Sequence, residues 1–415
     1  MQFESKFWLK FSLVNLLIVA LLGLLMRYKI GFEFPFLDQK HLQHSHSHFA
    51  FSGWISHTLM VLMIAFLEKK GSLQEALDKR YKKYNLILIV NLVSAYGMLI
   101  FFIIQGYGFF SIFFSTLSIV VSIVFAYYFI KDLKLIPADD LSKNWFKAAL
   151  FFAVFSSLGT FALAYMMVTK NIHQEEYLAS IYYYLHFQYN GWFFFACMGL
   201  LFSFLNLKAS ENPFYPTVFK LFFFSCIPAY FLSTLWLDLP VWIYVLTVIS
   251  AIIQVYTWFR FLMILIKTKR DWIENHPFFL RYILLFVGFS LSVKFLLQLG
   301  STIPALSQMA FGFRPIVIAY LHLVLLAVIS LFLLFYMYAN HFIRFNKQIK
   351  TGVIIFSIGV LLNEFILAIQ GVASFSYTII PYVNEMLFGA ALILVTGIGI
   401  TAVYSIKKVK NQLLL

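Results

Sequence analysis

The sequence predicts an all-α membrane protein of about twelve transmembrane helices, N-in and C-in, built as three pseudo-repeats of four helices. Three observations lead there. Apolar runs of about 20 residues recur from end to end, each enough to cross a hydrocarbon core about 30 Å thick. The chain is 62% hydrophobic, 20% aromatic and only 12% charged, with a mean hydropathy of +0.86. Soluble domains average about 45–50% apolar and about 25% charged residues. Finally, Lys and Arg alternate between dense and sparse connecting segments, as a bilayer sorts them.

The spans fall at 7–27, 46–67, 85–104, 109–130, 145–168, 179–205, 217–235, 240–266, 279–300, 315–338, 352–370 and 383–405. No stretch between them is long and polar enough for a soluble domain, so residues 1–415 form a single polytopic membrane domain. The first span follows Lys6 and Lys10 with no small-residue cleavage pattern behind it, and is read as a retained helix. Segments assigned to the cytoplasm carry Lys79, Arg80, Lys82 and Lys83; Lys131 and Lys134; Lys267, Lys269 and Arg270; Arg344, Lys347 and Lys350; and Lys407, Lys408 and Lys410. The opposite side holds only Arg27, Lys29, Lys40, Lys170 and Arg314. That sorting accounts for the net charge of +14 and argues against a nucleic-acid partner; the partner is the lipid bilayer. The two cysteines, Cys197 and Cys226, exclude a disulfide framework and a four-thiolate metal site.

A short phrase recurs in three spans. The second reads His48-Phe-Ala-Phe-Ser-Gly53-Trp54, the sixth His186-Phe-Gln-Tyr-Asn-Gly191-Trp192, and the tenth His322-Leu-Val-Leu-Leu-Ala327-Val328. Each pairs a His with a small residue five positions later and a large apolar one at the sixth. The intervals from 48 to 186 and from 186 to 322 are nearly equal, and each holds four spans.

All three histidines fall early in spans that run from outside to inside, so the sequence places them at similar depth, in the outer third of the membrane. Matched depth on three helices is what a shared ligand requires, and an imidazole in hydrocarbon is costly unless paired or bound. Neutral imidazole is a common ligand for haem iron, copper and zinc. The competing reading is a hydrogen bond between helices. The second span opens with His41, His44, His46 and His48. At helical spacing His41, His44 and His48 share one face and His46 points elsewhere. Either His46 or His48 is the cofactor-ligand candidate, His44 and His186 are metal-ligand candidates, and the rest suit a polar interface. His57 lies near mid-membrane, on the face of His46, as part of a proton path or a helix–helix bond. Glu364 beside Asn363, Lys294 and Glu385 lie in the outer half; Glu364 and Lys294 suit proton transfer or a buried ion pair. Tyr182, Tyr183 and Tyr184 read as an interfacial aromatic belt.

Twelve spans in three four-helix arcs, with these histidines, resemble subunit I of haem–copper oxidases and nitric oxide reductases. The phrase His46-Ser-His48 followed by Gly53-Trp54 is similar to the second-helix phrase of cbb3-like members. The resemblance implies a low-spin haem b held by His46 or His48 together with His322, in a bacterial cytoplasmic membrane, served by an electron donor or other respiratory subunits. The sequence also departs from that family. The sixth span has His186 but no Pro-Glu after it, the seventh has no His, and Tyr320 stands where the first His of the tenth-helix pair belongs. With so few imidazoles copper is doubtful, and no catalytic residue is assigned. The expected function is therefore electron transfer or diatomic-gas (NO or O2) binding by a membrane b-type haem protein. The rival from another class is a twelve-span transporter or metal-handling permease using the outer histidine cluster, although such proteins commonly repeat as two halves of six. A structural subunit that has lost its cofactors is a third.

Overall fold

The computed structural model describes residues 4–70, 74–343 and 346–406. Of the basic residues used above, Arg344, Lys407, Lys408 and Lys410 lie outside the described residues, as do the side chains of Lys79 and Arg80. Among the described residues the structure is helical and contains no strand. In chain order the long helices are α1 Ser5–Gly31, α2 Gln39–Lys70, α3 Gln74–Gln105, α4 Phe109–Leu133, α5 Ser142–Thr169 and α6, residues 174–204. There follow α7 Phe214–Cys226, α8 Val241–Thr268, α9 Phe278–Gly300, α10 Arg314–Ala339, α11 Lys347–Phe375 and α12 Val383–Ile406.

Ten of these helices are long and apolar enough to cross a membrane, or eleven if α7 is counted with the segment after it. The chain is a multi-pass membrane protein. Two expected spans depart from the simple pattern. The seventh is bent by 45° where α7 gives way to a 3-10 turn at Pro228–Thr234. Pro228 has no backbone N–H for the preceding turn, which breaks the α-helical ladder there. The sixth, α6, is helical throughout but is not among the ten, because His186, Gln188 and Asn190 dilute its apolar content. Such a helix is tolerated in a bilayer where its polar groups are buried in protein, and residues 186, 187 and 189–202 are all buried.

The helices sort by how much of their surface neighbours cover. All of the apolar window of α2 is buried, against 22% of that of α4. Buried residues also run almost unbroken from His186 to Phe202 of α6 and from Leu323 to Tyr338 of α10. These three form the centre, and α4, α5 and α8 turn apolar faces outward. Closest contact between neighbours comes where a helix drops its side chains. A Cβ on Gly397 of α12 would come within 2.3 Å of the Phe356 backbone nitrogen of α11. Small residues substitute for the hydrophobic effect in holding helices together inside lipid.

The three central helices share a further feature. Each contains a π-helical stretch: Ala50–Ser56 in α2, Phe187–Phe193 in α6 and Leu323–Ser330 in α10. Each stretch begins within two residues of the recurring His. The wider i→i+5 turn re-aims side chains and is frequent at functional sites.

The π stretches also meet. Trp192 Nε1 of α6 donates to Ser56 Oγ of α2 at 3.1 Å, and Trp54 Nε1 of α2 donates to Ser330 Oγ of α10 at 2.9 Å. Trp54 and Trp192 occupy the same position after their histidines, as do Ser56 and Ser330. At the step that would close the ring, the matching positions hold Val328 and Phe194, which have no such groups to offer.

Candidate functional site

His46 points from α2 toward α1. Its Nδ1 lies 3.1 Å from the Val19 carbonyl oxygen, where a carbonyl acceptor makes Nδ1 the protonated nitrogen. Gly23 lies against it: a Cβ there would sit 3.4 Å from His46 Cε1, in van der Waals contact with the ring. His322, at the last α-helical turn before the π stretch of α10, places Nδ1 2.8 Å from the Ile318 carbonyl oxygen of its own helix. In both rings the backbone fixes the tautomer and leaves Nε2 with its lone pair. Neither Nε2 makes a hydrogen bond among the described residues. Both rings are only part-buried although they belong to central helices, and they lie within electrostatic reach of each other.

The same end of the bundle carries positive charge. Arg27 of α1 is within electrostatic reach of His46, His322 and Arg314. Arg314 opens α10 and donates from Nη2 to Gln43 Oε1 of α2 at 2.8 Å, tying α10 to α2 just above the two imidazoles.

The structure separates the other sequence-selected histidines from this pair. His48 leans the opposite way, toward α3. Its ring stacks on Phe102 with centroids 4.4 Å apart, and its Nε2 lies 3.3 Å from the Tyr107 hydroxyl. His44 packs edge-on to Tyr107 at 4.6 Å, and His41 Nδ1 reaches the Ile103 carbonyl at 3.3 Å. The shared face of His41, His44 and His48 is thus a packing face against α3 and its following turn. Sequence spacing correctly set His46 apart from the other three.

His186 is fully occupied: Asn190 Nδ2 donates to its Nδ1 at 3.1 Å, and its Nε2–H donates to the Cys226 carbonyl at 2.9 Å. The expected convergence of His48, His186 and His322 is therefore corrected by their surroundings, which turn His48 to α3 and His186 to α7. Among the described residues no three His, Cys, Asp or Glu side chains are grouped to hold a metal ion.

His57 takes Asn91 Nδ2 at Nδ1, 3.3 Å away, and packs edge-on to Trp8; its buried Nε2 has no partner among the described residues. Glu364 accepts from Asn363 Nδ2 at 3.1 Å and is in none of the described ion pairs. Lys294 is 3% exposed and lies over the Phe295 ring at 4.1 Å and the Phe194 ring at 5.8 Å. The Glu364–Lys294 pair is thus not formed; an aromatic cage takes the ammonium instead. Glu385 is exposed. Tyr320 packs edge-on to Tyr189 at 6.2 Å. Tyr182, Tyr183 and Tyr184 pack against Trp236, Tyr230 and Phe51 of other elements, so they are part of the helix interfaces.

Sequence reasoning missed the roles of Val19, Gly23, Arg27 and Asn190. Asn190, four residues after His186 on a helix, was the one visible signal, since that spacing puts the two side chains on one face. No protein-family model matches this chain, and no curated protein matches it.

Proposed function

We propose that this chain is a membrane b-type haem protein whose iron would be held by His46 and His322. The observation that carries the proposal is the pair of imidazoles on two central helices, each with Nδ1 anchored to a backbone carbonyl and Nε2 left without a hydrogen bond. Anchoring one ring nitrogen is how proteins orient metal-bound histidines and raise their basicity. The donor set suits haem iron. It does not suit copper, because both nitrogens of His186 are engaged. Arg27 and Arg314 supply the positive charge that carboxylate substituents need at this end of the bundle. When bound, the haem would transfer single electrons or, if one ligand yields, bind a diatomic gas such as NO or O2.

This reading includes a scaffold like that of haem–copper oxidase subunit I, with twelve spans, both termini in the cytoplasm and residence in a bacterial cytoplasmic membrane beside an electron donor. The basic segments support the orientation. Three π stretches at matched positions, and two of three Trp-to-Ser bonds in cyclic order, support the three-by-four repeat. A bent α7 and a polar but buried α6 account for the two spans that length and composition alone pass over.

The test is an optical spectrum of the purified, detergent-solubilised chain, oxidised and dithionite-reduced, with a pyridine haemochrome assay. One haem b per chain with a low-spin spectrum is expected, lost in both His46→Ala and His322→Ala. A colourless protein after expression with ample haem would refute the proposal.

A further inference from the structure

Arg260, unlike the buried Lys294, is a lipid-facing basic residue that neither the positive-inside pattern nor the candidate site uses. It sits within α8, on the stripe of exposed side chains that includes Ile249, Ile252, Tyr256, Met263 and Ile266. In a multi-pass membrane protein that stripe faces lipid. A guanidinium in such a place is costly and calls for a partner. What it has is aromatic: it lies 4.8 Å over the Phe214 ring, and Nη1 donates to the Tyr256 hydroxyl at 2.7 Å. Arg260 takes part in none of the ion pairs among the described residues. Of its five N–H donors, most are left to face outward.

The guanidinium borders a groove of about 800 Å³ between α7 and α8. Its walls are apolar, with Val255, Phe259, Met263 and Ile264 on one side and Phe214 on the other, and its polar lining is Asn212, Thr217, Arg260 and the Tyr256 hydroxyl. Asn212 Oδ1 already accepts from Phe214 N, which leaves its amide N–H groups as further donors. Depth fits too. α8 has 28 residues, about 42 Å at 1.5 Å each, which exceeds a hydrocarbon core of about 30 Å. Arg260 lies about 12 Å from the Thr268 end, which places it roughly 6 Å inside the core boundary, within reach of the phosphate level by snorkelling. That end also carries exposed Lys267 and Arg270.

We propose that this groove is a binding site for an anionic phospholipid, with Arg260 and the Asn212 amide on the phosphate and the acyl chain lying along Val255, Phe259 and Met263. The charge selects an anionic headgroup, and the apolar length of the groove selects a lipid over a free anion.

The experiment is native mass spectrometry of the full chain from detergent, titrated with phosphatidylglycerol or phosphatidylcholine of matched acyl chains. Phosphatidylglycerol is expected to give one retained lipid per chain with about tenfold preference, because the choline ammonium of phosphatidylcholine offsets the same phosphate charge beside Arg260. Arg260→Gln should abolish the preference and Arg260→Lys should keep part of it. Met263→Trp, which fills the groove and spares the charge, should lower retention of both lipids. Equal retention of the two lipids by the unaltered chain would overturn the proposal, as would an unchanged preference in Arg260→Gln. Displacement of the lipid by inorganic phosphate would make it a soluble-anion site. A lipid-free dimer lost in Met263→Trp would make the groove a contact between copies.

Discussion

Replacing His46 and His48 one at a time by leucine separates a ligand from a packing residue. His48→Leu gives up the ring stacked 4.4 Å from Phe102 and a 3.3 Å contact with the Tyr107 hydroxyl. An aromatic pair contributes about 0.5–1.5 kcal/mol and a side-chain hydrogen bond inside a membrane averages about 0.6 kcal/mol. The sum, about 1–2 kcal/mol, lowers the thermal midpoint by about 1–2 °C, at the roughly 1 °C per kcal/mol that a chain of 415 residues implies. His46→Leu removes one bond to the Val19 carbonyl, so on packing grounds it costs no more. Haem content is expected to reverse that order: His48→Leu retains one haem per chain, and His46→Leu falls to background. Pyridine haemochrome stoichiometry and a thermal melt on the same preparations read both quantities. Loss of haem in His48→Leu with retention in His46→Leu would refute the assignment, because the α3 face would then be the liganding one. Retention in both would remove α2 from the site.

Asn15→Leu removes the donor to the Gly53 carbonyl at 2.6 Å and the acceptor of the Tyr96 hydroxyl at 2.8 Å, leaving a buried carbonyl and a half-buried hydroxyl unpaired. It should cost about 2–4 kcal/mol, read as the largest midpoint drop among these single-site polar variants. Trp192→Phe loses one 3.1 Å bond to Ser56 and should cost about 0.6 kcal/mol and no more than about 1.7; a larger drop would show that the indole does more than donate. Gly397→Leu forces α11 and α12 apart, since even a Cβ meets the Phe356 backbone at 2.3 Å, whereas a Cβ on Gly288 meets nothing within 4 Å. The first should lower the melting midpoint or broaden the size-exclusion peak and the second should do neither. In the connection between α4 and α5, burial raises the Asp140 pKa, but hydrogen bonds from Ser142 and Lys70 outweigh it and hold the carboxyl below its ordinary value. A carboxylate with a depressed folded pKa stabilises above its unfolded value near pH 3.9 and loses that contribution as pH falls through the folded one. Asp140→Asn should therefore cost up to about 1 kcal/mol at pH 7, with the cost shrinking as pH falls below the unfolded value, read by thermal melts across that range.

How much of this was legible in the sequence depends on which force decided it. Burial in lipid decided the helices, and the apolar runs marked nearly all of them. Rotation about a helix axis decided the site, and there the pattern was only partly readable. Spacing of 3.6 residues put His46 apart from His41, His44 and His48, but could not say which face meets α1. That answer rests on how Gly23 and the Val19 carbonyl lie against the ring, which shows only once α1 and α2 are packed. The π stretches are harder still, since nothing in Phe51-Ser-Gly-Trp or Leu323-Val-Leu-Leu spells an i→i+5 turn. The recurring phrase did locate them, although it was read as a mark of convergent histidines rather than of a shared distortion. His186 shows the difference: its place in the phrase is shared, yet Asn190 of its own helix takes one ring nitrogen and the Cys226 carbonyl of α7, just before the bend, takes the other. Arg260 escaped because a single cation in an apolar run belongs to neither side of the membrane, and its groove needs two helices.

The π stretches impose a cost that the neighbouring side chains meet. A turn closed by i→i+5 bonds leaves carbonyls without the usual i+4 N–H, and in hydrocarbon an unpaired carbonyl costs several kcal/mol. In α2 the Ser52 and Gly53 carbonyls accept from Asn91 Nδ2 of α3 and Asn15 Nδ2 of α1. In α6 the Asn190 carbonyl accepts from Cys226 Sγ of α7, 3.7 Å away, and in α10 the Leu325 carbonyl accepts from Ser330 Oγ. Each distortion is thus matched by a donor, three of the four from a different helix. The widened turns are for that reason features of the assembled bundle and would not persist in an isolated helix. Because Asn91 also holds His57, and because α1 carries both Asn15 and the carbonyl that orients His46, the same contacts that stabilise the π turn of α2 set the rotation of its histidines. Packing of α1 against α2 is therefore where the fold and the proposed ligand geometry are coupled, and Asn15→Leu should disturb haem content as well as stability although it lies on neither histidine.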